Sequence, residues 1–169
     1  MKKLLYLWVF FFLVTACNTH TKNNSVAKVD WSKRMVNTPI KDSLVNGATY
    51  LSIYSQIYSQ TEHKTFNLTA TVSIRNTNIN DTVFIHKAEY FNTQGKSIRT
   101  YFDNTIYLAP METVEIVIKD GDREGGTGAN FLFDWSVKQN ANEPFFEGVM
   151  ISTYGQQGLS FTTQGRKIH

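Results

Sequence analysis

Phe66-Asn67-Leu68-Thr69-Ala70-Thr71-Val72-Ser73-Ile74-Arg75 decides the fold. Apolar and polar residues alternate through the whole run, the period that sets one face of a strand on a core and the other in water. It ends in Asn76-Thr77-Asn78, residue types that favour a turn. The alternation recurs at Val114, Ile116 and Ile118, at Phe131, Phe133, Trp135 and Val137, and at Leu159 and Phe161. Weaker strands are expected over 50–58, 82–91, 96–102 and 145–153. Tyr50, Tyr54 and Tyr58 have a helical spacing, but Leu51, Ile53 and Ile57 fall on the other face of a strand, so period two is the better description. Asn92-Thr93-Gln94-Gly95 reads as a hairpin turn, and Pro110 and Pro144 mark strand boundaries.

About seven to nine short strands without an amphipathic helix predict an all-β domain. Its size of about 120 residues and its Phe-Asp-Trp-Ser strand, 133–136, favour an immunoglobulin-like antiparallel β-sandwich. The disulfide of antibody domains is ruled out by the single cysteine. Mixed face patterns in 82–91 and 145–153 fit strands buried on both faces or strands at an edge.

The N-terminus addresses the chain. Lys2 and Lys3 precede an apolar run from Leu4 to Ala16. Such a run rises ~20 Å as a helix against a hydrocarbon core of ~30 Å, the mark of a secretory signal rather than a span. Val14-Thr15-Ala16-Cys17 resembles the bacterial lipobox. That resemblance implies cleavage of residues 1–16, a diacylglyceryl thioether on Cys17, and acylation of the new amine with palmitate or a similar chain. It accounts for the lone thiol of an exported chain, and it makes the lipid bilayer a partner. Asn18, with no Asp retention signal, favours the outer membrane in a Gram-negative envelope.

Residues 17–46 read as the lipidated cysteine and a polar tether, with the sandwich domain over 47–169. Trp31 is unusual in a linker, and either lies against the domain or sits in the membrane interface. The whole chain has 169 residues and net charge +3. Without Lys2 and Lys3 the charge falls to +1, which gives no reason to expect nucleic acid as a partner.

The stretch 50–167 resembles a bacterial family, domain of unknown function 3124. The resemblance rests on Phe-Asn-Leu-Thr-Ala-Thr-Val-Ser-Ile-Arg-Asn-Thr (66–77), Gly-Gly-Thr-Gly-Ala-Asn-Phe (125–131) and Gly-Gln-Gln-Gly-Leu-Ser-Phe-Thr (155–162). It implies an envelope location and carries no activity with it.

No motif assembles a catalytic site. Gly121 to Gly126 has phosphate-loop spacing, but Thr127-Gly128 replaces the Lys-Ser/Thr pair and a strand follows. Asp120, Asp122 and Glu124, followed by Gly125, imitate the first half of a calcium loop. Phe131 stands where the loop needs a bidentate glutamate, and Arg123 sits among the acids. Two readings stay open for this stretch. One is a solvated strand connection. The other is a divalent-metal-dependent hydrolase with one of these carboxylates as base. His20, His63, His86 and His169 have no metal-ligand spacing, and a strand histidine such as His86 is usually packing or surface. No catalytic residue and no cofactor is assigned.

The glycine-dense segments 125–128 and 155–158 are explained by tight turns. Alternatively, Asn130, Gln156 and Gln157 beside them would bind a neutral glycan or peptide. The sequence thus predicts a membrane-anchored envelope lipoprotein with a non-catalytic binding or scaffolding domain, the metal hydrolase being the alternative.

Overall fold

The alternation of residues 66–75 does not run as one strand, because the chain changes sheets at Leu68. In the computed structural model, which describes residues 29–37, 43–153 and 158–169, Leu68 is fully buried and its N–H donates to the Ser55 carbonyl at 2.9 Å. On one side lies a separate hairpin of β2 (Gln56–Ser59) and β3 (Thr61–Asn67). On the other β4 (Thr69–Arg75) enters the main body with Ala70, Val72 and Ile74 inward. His63 lies within β3, and the strand expected over 50–58 is interrupted at Tyr54-Ser55.

Before that interruption runs β1 (Leu44–Ile53), and after β4 come β5 (Val83–Phe91), β6 (Ser97–Phe102) and β7 (Ile106–Leu108). The chain continues through β8 (Thr113–Ile118), β9 (Ala129–Lys138), β10 (Phe145–Ser152), β11 (Leu159–Gln164) and β12 (Arg166–Lys167). One sheet has the order β12-β1-β9-β5-β6, with β7 also paired to β5; the second has the order β11-β10-β4-β8. All pairs are antiparallel, as the sequence predicts. The expected strands over 50–58 and 66–75 are each divided in two, and the short β7 and β12 have no counterpart among those expected. Neither sheet reproduces the four-and-three split of an immunoglobulin constant domain.

The mixed face pattern of 82–91 has a local cause. A bulge between Ile85 and Lys87 shifts the register against β9, so Val83 and Ile85 face inward before it and Ala88 and Tyr90 after it. By contrast β10 is an interior strand whose outer face carries apolar side chains, Phe145 and Ile151 among them.

The two sheets are joined by stacked rings. Tyr90 lies on Phe131 with centroids 4.8 Å apart, Phe131 on Phe133 at 5.3 Å, and Phe133 crosses to Phe146 of the second sheet at 4.4 Å. Each such pair adds ~0.5–1.5 kcal/mol beyond its area burial. Trp135 closes the same layer and donates its indole N–H to Thr49 Oγ1 at 2.9 Å. Its cross-strand partner is Gly47, where a Cβ would stand 2.3 Å from the indole ring.

At one end of the sandwich a buried asparagine pair ties three loops. Asn76 Nδ2 reaches the carbonyls of Asp81, Leu108 and Ala109 at 2.8–3.0 Å. Asn78 Nδ2 donates to Asn76 Oδ1 and to the Asn142 carbonyl, and Asn78 Oδ1 accepts from the Asn142 N–H.

Residues 29–37, counted as tether from sequence, lie on the domain. Asp30 caps a single 3-10 turn, Trp31–Arg34. Trp31 packs on Phe102 at 4.8 Å, Arg34 pairs with Glu112 at 2.8 Å, and Val36 N–H donates to the Thr105 carbonyl. β1 begins at Leu44, ahead of the boundary read at residue 47. The expected signal segment, Cys17 and residues 18–28 lie outside the described residues.

Trp135→Ala is expected to destabilise the domain by ~3–5 kcal/mol, as truncation of a fully buried ring does. Trp31→Ala, at a half-covered ring, is expected to cost about 1–2 kcal/mol, since exposing part of a large side chain forfeits part of its ~1.5–3 kcal/mol of burial. Urea denaturation of the full chain checks both. Equal costs would show that residues 29–37 pack as tightly as the core, and no cost at Trp31 would show that they do not pack at all.

Candidate binding groove and its charged loop

A groove of about 650 Å³ opens where the hairpin leaves the sandwich. One wall is the hairpin, with Gln56, Lys64, Thr65, Phe66 and Asn67. The opposite wall is the loop between β8 and β9, through Asp120 and Arg123. The floor is made by Thr69 at the start of β4 and by Ile151 and Ser152 at the end of β10. Within the hairpin, Gln56 Nε2 donates to Thr65 Oγ1 at 3.2 Å and to Asn67 Oδ1 at 3.0 Å, so the two amides are held in a fixed orientation.

The loop from Lys119 to Gly128 sorts its charges. Gly121 takes a left-handed conformation, φ +84°, after which Asp122 and Glu124 turn toward Arg99 of β6. The Arg99 guanidinium lies 3.0 Å from Asp122 Oδ2 and 2.9 Å from Glu124 Oε2, and donates to Tyr101 Oη at 3.1 Å. Burial opposes its charge, but Tyr101 and Asp122 outweigh that and hold its pKa above the ordinary arginine value. Asp120 and Arg123, the alternate members, face the groove instead. The carboxylates expected to act together are thus divided: Asp120 lines the groove, while Asp122 and Glu124 share an ion pair with Arg99. Arg123, the cation that sits among these acids in sequence, is not their partner. Among the described residues no group of three or more His, Cys, Asp or Glu side chains is arranged to hold a metal ion.

The glycines that follow are required by packing. Gly125 passes so close to Tyr90 that a Cβ would meet its Oη at 1.9 Å. Thr93 of the β5–β6 hairpin fastens the loop: its Oγ1 donates to the Gly125 carbonyl at 3.0 Å and accepts from Gly128 N–H at 2.9 Å. Ser55 Oγ donates to the Gly126 carbonyl at 3.2 Å. For 125–128 the turn explanation therefore suffices. Tyr90 Oη is itself buried without a hydrogen-bond partner among the described residues, and burial pushes its pKa up to about 12.

Asn130 lies in β9 opposite Ser52 and Phe91, between the inward-facing Ala129 and Phe131. It is not a groove residue. Gln156 and Gln157 lie outside the described residues.

A second cavity, of about 310 Å³, has His86, Asp134 and His169 among its lining. The bulge turns His86 between two hydroxyls, Thr105 Oγ1 at 3.0 Å from Nδ1 and Ser136 Oγ at 2.9 Å from Nε2. Ser136 is fully buried, so this chain of polar groups holds strands together rather than presenting a nucleophile. Burial lowers the His86 pKa below the ordinary 6.5, with Asp134 opposing the shift. His63 and Glu62 form an exposed pair on the hairpin.

These features define the class, an antiparallel two-sheet β-sandwich with a polar groove at one end. The chain belongs to the family described as "Protein of unknown function (DUF3124)", which matches residues 46–168. The solved structure of Thermotoga maritima 1070 is similar at a TM-score of 0.43 and 10% identity, over 75% of this chain and 96% of that one. No curated protein matches the chain.

The His86 geometry sets a pH dependence. A histidine whose folded pKa is depressed leaves the unfolded chain binding the proton more readily, so its contribution is intact above about pH 6.5 and lost as the pH falls below it. The melting temperature is expected to drop from about pH 7 to about pH 5.5, and His86→Gln is expected to flatten that drop. An unchanged slope in the variant would show that His86 titrates as freely folded as unfolded. Gly125→Ala is expected to cost ~1–3 kcal/mol or more by overpacking, while Tyr90→Phe is expected to be neutral or stabilising because it removes an unpaired buried hydroxyl. Thermal melts of the two variants check this.

Proposed function

We propose that the protein is a lipid-anchored envelope module whose groove binds a polar partner without catalysing a reaction on it. The observation that carries the binding reading is the charge sorting of the 119–128 loop: the acids that a hydrolase would need are committed to Arg99, and polar side chains of two separate elements converge on an open groove. A volume of about 650 Å³ falls within the range of small-molecule and oligomer sites. The anchoring reading is supported by Lys2-Lys3, the apolar run and Val14-Thr15-Ala16-Cys17. Two or three acyl chains hold a protein stably without a basic patch. No helix among the described residues is long and apolar enough to cross a membrane. The partner is an envelope glycan or protein, and Asn18 favours the outer membrane.

The divalent-metal hydrolase finds no support in the geometry, because Asp122 and Glu124 turn to Arg99 while Asp120 lines the groove.

Mass spectrometry of the chain from membranes is expected to show an acylated Cys17, and Cys17→Ser is expected to release it into the soluble fraction. Retention of the variant in membranes would contradict the anchor. The full chain is expected to be held by isolated envelope glycan, and Gln56→Ala combined with Asn67→Ala is expected to abolish that. Calcium, magnesium, manganese and zinc are each expected to leave the melting temperature unmoved. A metal shift abolished by Asp120→Asn would revive the hydrolase, because a ligand at 100 times its dissociation constant adds ~2.7 kcal/mol.

A further inference from the structure

We infer that the groove takes an acidic saccharide, a sugar chain bearing carboxylates, with Arg123 and Lys64 as its anion contacts. This rests on the reading of the groove as a binding site and adds the chemistry of its ligand.

The argument starts from the charge inventory. Arg123 lies between Asp122 and Glu124 in sequence, yet both acids are drawn across the loop to Arg99 and only Arg123 reaches the groove. Among the described residues Arg123 makes no hydrogen bond or ion pair. Its planar guanidinium is suited to grip a carboxylate through two parallel hydrogen bonds. Lys64, on the facing wall, has as its neighbours the neutral Gln60 amide, at 3.3 Å, and the Phe66 ring, 6.0 Å to its centroid. The groove therefore sets two cations against a single carboxylate, Asp120.

The remaining lining points to hydroxyls. The hairpin fixes Gln56 Nε2 on Thr65 and Asn67, which leaves the Gln56 carbonyl as an acceptor and the Asn67 NH₂ as a donor. Asp120 supplies two acceptor oxygens, the geometry that adjacent sugar hydroxyls can bridge. Ile151 is 45% exposed on the floor and offers an apolar surface to ring C–H groups. A peptide adding itself as a strand would need unpaired backbone in the floor. There Ile151 is paired with Thr69 on one side and with Ser160 on the other. At the floor, recognition therefore falls to side chains.

Isothermal titration of the full chain in non-ionic detergent with tetragalacturonate tests this. Saturable binding is expected, weakened by salt because the contacts are ionic. Arg123→Gln and Lys64→Gln are each expected to weaken it about tenfold, as loss of a charge-assisted contact does, with Arg123→Lys recovering part of the loss. A neutral cellotetraose is expected to bind at least about tenfold more weakly, since it forfeits the same contacts. Equal binding of cellotetraose, or an unaltered affinity in Arg123→Gln, would overturn the anionic ligand while leaving a binding groove intact. Tetraglutamate binding as tightly as tetragalacturonate would overturn the saccharide. If no probe binds, and envelope glycan is also not retained, the groove reading falls with it.

Discussion

The contact of Phe133 with Phe146 is the constraint on which the other parts depend, because it is where the two sheets meet ring on ring. From there the column continues through Phe131 to Tyr90, and Tyr90 ends against Gly125. The core and the candidate site are therefore one mechanical object. Arg99 extends it, lying 6.0 Å above the Tyr90 ring and 5.8 Å from that of Tyr101, within the range of cation–π attraction. The same guanidinium holds Asp122 and Glu124, so the path of the loop, and with it the direction of Arg123, is set by the packed centre of the sandwich. Loops that carry function are usually positioned in this way by a rigid scaffold.

The buried Tyr90 hydroxyl is the cost of that arrangement. An unpaired polar atom in the interior is disfavoured by about 1–3 kcal/mol. Its neighbours leave room for it only because residue 125 has no Cβ. The Tyr90 oxygen, without a hydrogen-bond partner among the described residues, and the glycine beside it are complementary.

Much of the fold was legible in the sequence because period two survives wherever a strand has one wet face. Residues 114–118 and 131–137 follow it in the structure as they do in the chain. What hid the remainder was local. Leu68 keeps the alternation while the chain changes sheets, so one apparent strand is two. The His86 bulge inverts the faces midway along β5, and no residue type announces it. The loop's acids were legible as a cluster, but their neutralisation was not, since Arg99 lies more than twenty positions away and pairs with them only through the β5–β6 hairpin. Lys64 and Gln56 carried no signal, because a groove between a hairpin and a loop has no spacing to betray it, and Arg123 was legible only as a cation among the acids. Trp31 did carry one, an indole in a polar stretch, and the structure accounts for it through Phe102.

Recognition of an acidic glycan by the groove is the central claim, and the most direct measurement is a map of where a ligand touches the chain. Amide chemical shifts recorded on isotope-labelled protein during titration with tetragalacturonate should move at Gln56, at residues 64–67, at Arg123 and at Ile151 and Ser152. Shifts confined to the outer face around Asn130, or to the cavity beside His86, would contradict the account.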